Sequence, residues 1–245
     1  MVLSKSLFLV LLSPMILFFA KDLTGSQALL QEDEYQHCIK VLRHKSGDII
    51  ELTDGNGTRA QGTLIDINKR EALISIDQKT HTEPPSGKIH LYVAPPKNRT
   101  RWEWLLEKSV ELGVDTITAL NTARTERSRI NEERTHKIMR SAAMQSLRPY
   151  HPRYMGQISI ADLVSRTADT DTYLAHYAAH HPRLTDLKPH QKEAQILVGP
   201  EGDFSPEELQ SFQDGGYIGV NISANRLRTE TAAITVVTHL KLIGY

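Results

Sequence analysis

The stretch Gln195-Ile196-Leu197-Val198-Gly199-Pro200-Glu201-Gly202-Asp203-Phe204-Ser205-Pro206-Glu207-Glu208 decides the fold. Its first four residues form a short apolar run, as expected of a strand buried on both faces. The run breaks at Gly199-Pro200, and Gly202 offers a second point for positive φ or close backbone approach to a ligand. Ser205 suits an N-cap, with Pro206 at the first helical position and Glu208 at the capping-box position. A strand that ends in a glycine turn and feeds a helix N-terminus is where α/β proteins place ligands.

The arrangement repeats downstream. Tyr217-Ile218-Gly219-Val220-Asn221-Ile222 predicts a strand, Ser223-Ala224-Asn225 a turn, and residues 229–242 an apolar helix. The lead-in Leu227-Arg228-Thr229-Glu230-Thr231-Ala232 places Arg228 and Glu230 at the helix start, where folding requires neither charge. Alone, the first loop is a tight turn and the second a polar lead-in. Two such units so close together point to one ligand site built from both loops.

Upstream, Ile89-His90-Leu91-Tyr92-Val93-Ala94 predicts a strand, residues 101–112 a helix closed by Gly113, and residues 114–120 the next strand. The apolar stripe expected on that helix is Trp104, Leu105, Val110 and Leu112. Further helices are expected at residues 134–147 and 161–166, and a further strand at residues 172–176. This β-α-β order argues for a parallel α/β sheet. Residues 21–85 instead show short strands at 49–53, 62–67 and 72–76, with Asp54-Gly55-Asn56-Gly57 as a hairpin signal and a short helix at 37–43. That pattern suggests a small barrel. Pro84-Pro85-Ser86-Gly87 marks a linker.

The totals fit an ordinary globular chain. It has 245 residues, 40% hydrophobic and 24% charged, with zero formal net charge. Zero charge gives no global attraction to nucleic acid, although basic residues can cluster locally. Cys38 is the single cysteine, so no intrachain disulfide can form and a reducing compartment fits. His176, His180 and His181 lie close in sequence, but no cysteine pair or HExxH accompanies them, and no metal is expected. Residues 7–12 imitate a signal peptide, yet Pro14 interrupts the run and cleavage after Ala20 would put Phe18 where a small residue is wanted. The expectation is a cytoplasmic protein with no membrane partner.

GPEGDFSPEE (199–208) followed by RLRTETA (226–232) closely resembles the C-terminal motif pair of the bacterial 16S ribosomal RNA uridine-N3 methyltransferases of the SPOUT superfamily. EKSVELGV (107–114) is similar to the family's EKATELGV, residues 125–128 to its arginine-serine segment, and HCIKVLRHKSGD (37–48) to its PUA-like domain. Residues 15–20 match its opening strand, which leaves residues 1–14 as an extension. Asp203 stands where a second glycine is usual, and Ile222-Ser223 where Leu-Gly is usual.

The resemblance implies an α/β fold with a SPOUT parallel sheet and deep trefoil knot over residues 86–245. It also implies a PUA-like RNA-binding β-barrel domain over 15–85. S-adenosyl-L-methionine would be the cofactor. It would lie against Ala175 and His176 on one wall and against Leu197, Gly199, Pro200, Glu201 and Gly202 on the second. Ile222, Leu227, Arg228, Thr229, Thr231 and Ala232 would form the third. Arg228 is the candidate cation for the uracil oxygens and Glu230 the candidate proton acceptor; helix-dipole stabilisation is an equal alternative for Glu230. Lys40, Arg43 and Lys45 of the small domain, and Lys97, Arg101, Arg124, Arg127 and Arg129 of the large one, are the expected RNA contacts. The expected partners are 16S rRNA or the assembled small ribosomal subunit, and a second copy in a homodimer. Related knotted enzymes methylate ribose 2′-oxygens or tRNA guanine, and a catalytically silent RNA-binding protein is the third alternative. Binding of the methyl donor separates that last one from the rest.

Overall fold

The computed structural model describes residues 16–126, 129–166 and 170–245. Two compact units divide the chain between Glu83 and Pro84.

The N-terminal unit is a curled five-stranded sheet in the order β1-β3-β4-β5-β2, formed by β1 (Leu17–Phe19), β2 (Gln27–Gln31), β3 (Ile49–Thr53), β4 (Thr58–Ile67) and β5 (Glu71–His81). Only the β1–β3 pair is parallel. Strict alternation in β2 turns Ala28 and Leu30 inward, where they join Leu52, Leu64, Ile74 and Tyr35 in the core. Register shifts interrupt the β4–β5 ladder at Gln61/Gly62 and Leu64/Asp66. Such bulges bend a strand and increase its twist. At Gly62 a Cβ would stand 2.5 Å from Ile74 Cγ2, so only glycine fits there. In the hairpin between β3 and β4, Asp54 Oδ1 accepts the amides of Asn56 (2.7 Å) and Thr58 (3.0 Å). The helix expected at 37–43 starts earlier: α1 (Glu32–Tyr35) runs into a π-helical turn, Gln36–Val41. This turn buries Cys38, and burial pushes its thiol up to about 11.

The C-terminal unit is a six-stranded, fully parallel sheet in the order β11-β9-β10-β6-β7-β8. Its strands are β6 (Lys88–Val93), β7 (Thr116–Asn121), β8 (Arg153–Ser159), β9 (Asp171–Ala175), β10 (Glu193–Val198) and β11 (Ile218–Val220). This is the parallel sheet that the SPOUT resemblance implies. The chain lays down β6, β7 and β8 outward in one direction, then returns to the other side of β6 with β9, inserts β10 between β9 and β6, and adds β11 at the edge. Such a reversal opens a crevice at the carboxyl ends of the strands.

Among the described residues five α-helices cover the sheet or link its strands: α2 (Arg99–Glu111), α3 (Glu132–Gln145), α4 (Ile160–Val164), α5 (Pro206–Asp214) and α6 (Thr229–Ile243). Asn98 caps α2 and Asn131 caps α3 through side-chain oxygens. The buried stripe of α2 is Trp102, Leu105, Leu106, Ser109 and Val110. These residues follow the three-four spacing of a helix face, and Trp104 lies outside it, 43% exposed. The expectation for Trp104 is therefore corrected. Gly113, with φ of 98°, follows α2 in the left-handed conformation that the sequence assigned to a stop. Ala233, Val236, Val237 and Leu240 of α6 are fully buried in the large core. Among the described residues no helix is long and apolar enough to cross a membrane.

Candidate active site

The carboxyl ends of β9, β10 and β11 open into a cavity of about 590 Å³. That volume suits a drug-sized or cofactor-sized ligand. The first wall is the loop after β10. Pro200 O accepts the amide of Asp203 at 3.0 Å, closing a tight turn. Ser205 and Glu208 then form the reciprocal capping box of α5, with Ser205 N donating to Glu208 Oε2 at 2.7 Å. The left-handed residue of this loop is Asp203, φ 63°, rather than Gly202. Aspartate tolerates that conformation because its side chain bonds locally, here with Oδ1 accepting Phe204 N–H at 2.8 Å. Gly199 is needed for space: a Cβ there would stand 2.9 Å from the Phe204 ring.

The second wall follows β11 and enters α6. Thr229 Oγ1 donates to Gly199 O at 3.1 Å, and Arg226 Nη2 donates to Glu201 O at 3.0 Å. Both bonds tie the two loops across the cavity. The third wall is the loop after β9, where His176 N donates to Val220 O. His176 Nδ1 is buried without a hydrogen bond, 3.4 Å from Asp203 Oδ2.

The geometry sorts the residues expected to hold a cofactor. Ala175, His176, Gly199, Pro200 and Glu201 line the cavity, as do Ile222, Leu227, Thr229 and Ala232. Leu197 does not, because strand alternation turns it to the opposite face, against Leu120, Phe204 and Phe212, while Val198 faces the cavity. Gly202 stands outside the lining and offers its carbonyl to Arg124 Nη1 at 2.5 Å. On α6, Thr229 and Ala232 share one face, which turns Thr231 to solvent. Arg228 is the exposed N-cap residue.

Glu230 is also outside the lining. It is packed into the core side of α6, with Oε1 3.4 Å from Arg101 Nε on α2 and Oε2 buried without a partner. Its charge therefore helps fasten two packed helices, contrary to the expectation that folding has no use for it. The same pairing engages Arg101, one of the expected RNA contacts, whose side chain stays 38% exposed. Lys97 pairs with Glu126 at 2.7 Å, and Arg124 braces the loop after β10. Arg129 lines a smaller cleft of about 330 Å³ with Arg99 and Arg134. Glu103 sits in that cleft, and hydrogen bonds from Arg134 and Arg99 hold its carboxyl down to about 2. In the N-terminal unit Lys40, Arg43 and Lys45 are exposed, and Lys40 Nζ lies 5.8 Å from the Tyr35 ring centroid. Arg127 lies outside the described residues. Among the described residues no group of three or more side chains could hold a metal ion.

Sequence reasoning placed the turn 223–225 in the ligand loop without naming its residues as contacts, and it missed Tyr177, Val198, Val220, Asn221 and Arg226, all of which line the cavity. Asn221 had a signal: a polar residue at the end of an apolar strand, beside a turn. It bonds Ala178 N, Ala178 O and His181 O, and so ties the loop after β9 to the end of β11.

Residues 82–241 match the RNA methyltransferase domain family and residues 30–77 the RNA methyltransferase PUA domain family. The chain belongs to the RNA methyltransferase domain family. A curated relative in Mycobacterium bovis, ribosomal RNA small subunit methyltransferase E, is 29% identical over 231 residues, covering 89% of this chain and 88% of that protein. A solved Porphyromonas gingivalis structure, assigned to the rRNA methyltransferases, is 32% identical with a TM-score of 0.84, covering 93% of this chain and 97% of that one. A Legionella pneumophila structure with bound cofactor SAM is 26% identical, also with a TM-score of 0.84 and the same coverage.

Proposed function

We propose that this family member transfers a methyl group from S-adenosylmethionine to N3 of a uridine in 16S ribosomal RNA, in the cytoplasm, on the assembled small subunit. The observation that carries the reading is the cavity at the strand ends, walled by both loops that the sequence singled out. A methyl donor of this kind fits the residues present. It carries a net positive charge, and Glu201 and Asp203 stand on the wall. His176, whose Nδ1 lies 3.4 Å from Asp203 Oδ2 without a hydrogen bond, also lines the cavity.

When bound, the cofactor supplies an electrophilic sulfonium methyl. Gly199, Pro200 and Leu227 would hold its flat adenosine part, and Thr229 fixes the entry of α6 by its bond to Gly199 O. The chain's remaining task is to hold the uracil ring in line and stabilise the charge that develops as N3 loses its proton. Arg228, exposed between the lining residues Leu227 and Thr229, is the proposed cation for the uracil oxygens. Glu230, buried on Arg101, is assigned to positioning the first turn of α6 rather than to taking the proton. Lys40, Arg43 and Lys45 supply phosphate contacts from the PUA-like unit. The related homodimers suggested by the sequence make a second copy the proposed partner.

Two measurements test this. Calorimetric titration with S-adenosylmethionine should show saturable binding. Reverse transcription of small-subunit RNA should stop at one uridine after treatment with enzyme and cofactor, because an N3 methyl blocks base pairing. A methyl found on a ribose oxygen would reassign the reaction. No donor binding by folded protein would favour the silent RNA-binding reading.

A further inference from the structure

We infer that Tyr177 is the platform on which the target nucleobase stacks beside the methyl donor; the inference rests on the function proposed above. Tyr177 lines the cavity and is nevertheless 70% exposed. It is the one phenol or benzene ring among the described lining residues. A ring in that position belongs to the cavity and to the outside surface at once, which is where a base entering from RNA would be met. A uridine must leave its own stack before a methyl donor can reach N3, and an aromatic face at the mouth replaces the stacking it loses.

The loop carrying Tyr177 is built to hold it still. Asn221 Nδ2 donates to Ala178 O and to His181 O, both at 2.8 Å, and Asn221 Oδ1 accepts Ala178 N–H at 3.2 Å. Ala178 is the next residue, so Tyr177 is anchored one bond away from this knot of contacts. The His181 ring bonds the carbonyl of His176 at 2.9 Å and packs against Gly219, where a Cβ would stand 2.3 Å from its Cε1. These bonds are the fixed points of the loop around Tyr177. A stacking residue needs them, because each degree of freedom left in the platform weakens the bound geometry.

The test uses the full chain with Tyr177→Ala and Tyr177→Phe, and unmethylated small subunits as the RNA probe. Three quantities are read: calorimetric Kd for S-adenosylmethionine, affinity of the S-adenosylhomocysteine-loaded protein for the particle, and KM against kcat. Tyr177→Ala should leave the cofactor Kd within about twofold, while particle affinity and kcat/KM each fall by about tenfold or more. Tyr177→Phe should behave as wild type, since stacking uses the ring and not the hydroxyl. A tenfold loss of cofactor affinity in Tyr177→Ala would overturn the inference and make the residue an adenine wall. A change in sedimentation behaviour would overturn it in favour of a contact between copies, and an unchanged particle affinity would remove it outright. If wild-type protein bound particles but no methyl donor, the proposed function would fail separately, with the Tyr177 effect on particle affinity still readable.

Discussion

The two loops that face each other across the cavity are built to different standards. Residues 199–205 are held at nearly every step: a turn at Pro200–Asp203, a reciprocal cap at Ser205 and Glu208, Phe204 buried beneath Gly199, and Arg124 on the Gly202 carbonyl. Glu208 Oε1 also accepts Ala123 N–H at 2.6 Å, tying the loop to the end of β7. Residues 222–228 are different. Ala224, Asn225 and Arg226 are exposed, and they are tied by the Asn225 amide donating to Ser223 Oγ and the Arg226 guanidinium donating to Glu201 O. One wall is thus shaped before a ligand arrives, and the other takes its shape largely by leaning on the first. Ligand affinity should depend mainly on the first wall and ligand residence on the second.

The most damaging way to break this contrast is Gly199→Ala. The added methyl would meet the Phe204 ring at 2.9 Å, in a packed cluster that includes Phe212 and Leu197. Overpacking of this kind costs about 1–3 kcal/mol. A lowered Tm and roughly tenfold weaker donor binding should follow, measurable by calorimetry. Next comes Arg124→Ala, which strips the Gly202 carbonyl of its charged donor. The expected cost is about 1 kcal/mol, seen as several-fold weaker donor binding with particle affinity falling less. If particle affinity instead collapsed while donor binding held, Arg124 would be an RNA contact as the sequence suggested. The smallest effect is expected for Arg226→Ala. Stability should stay within about 0.5 kcal/mol of wild type, whereas the donor's dissociation rate in stopped flow should rise by a few-fold. Equal effects of Arg124→Ala and Arg226→Ala on both affinity and residence would dissolve the distinction between the walls.

How much of this was legible beforehand follows from the range of each interaction. The capping box, the Gly113 helix stop and the parallel sheet depend on local spacing, and the sequence displays local spacing directly. The usual second glycine of the motif is replaced by Asp203, and the structure explains the tolerance: this is the position with φ of 63°. The short strand β2 was missed because five residues with two inward apolar side chains give too little periodic signal. The side-chain partners were illegible for another reason. Arg124 and Gly202 are 78 residues apart, and Arg101 and Glu230 are farther still. A basic composition near an RNA-like motif cannot distinguish an arginine that grips phosphate from one that braces a loop. Nor does any periodicity encode a trefoil knot, which entered only through the resemblance.

Helix α6 has a consequence for the order in which the protein becomes competent. Its first turn supplies Thr229 and Ala232 to the cavity, and its later turns supply Val236, Val237 and Leu240 to the core beneath β6 and β10. Chains fold as they are synthesised, the earlier unit first. The small β-sheet unit can therefore be complete while the ribosome still holds residues 229–243, and at that moment the donor cavity lacks a wall. On that order a nascent chain would carry a formed PUA-like surface before its donor cavity is complete, so competence would wait for the last helix to leave the ribosome.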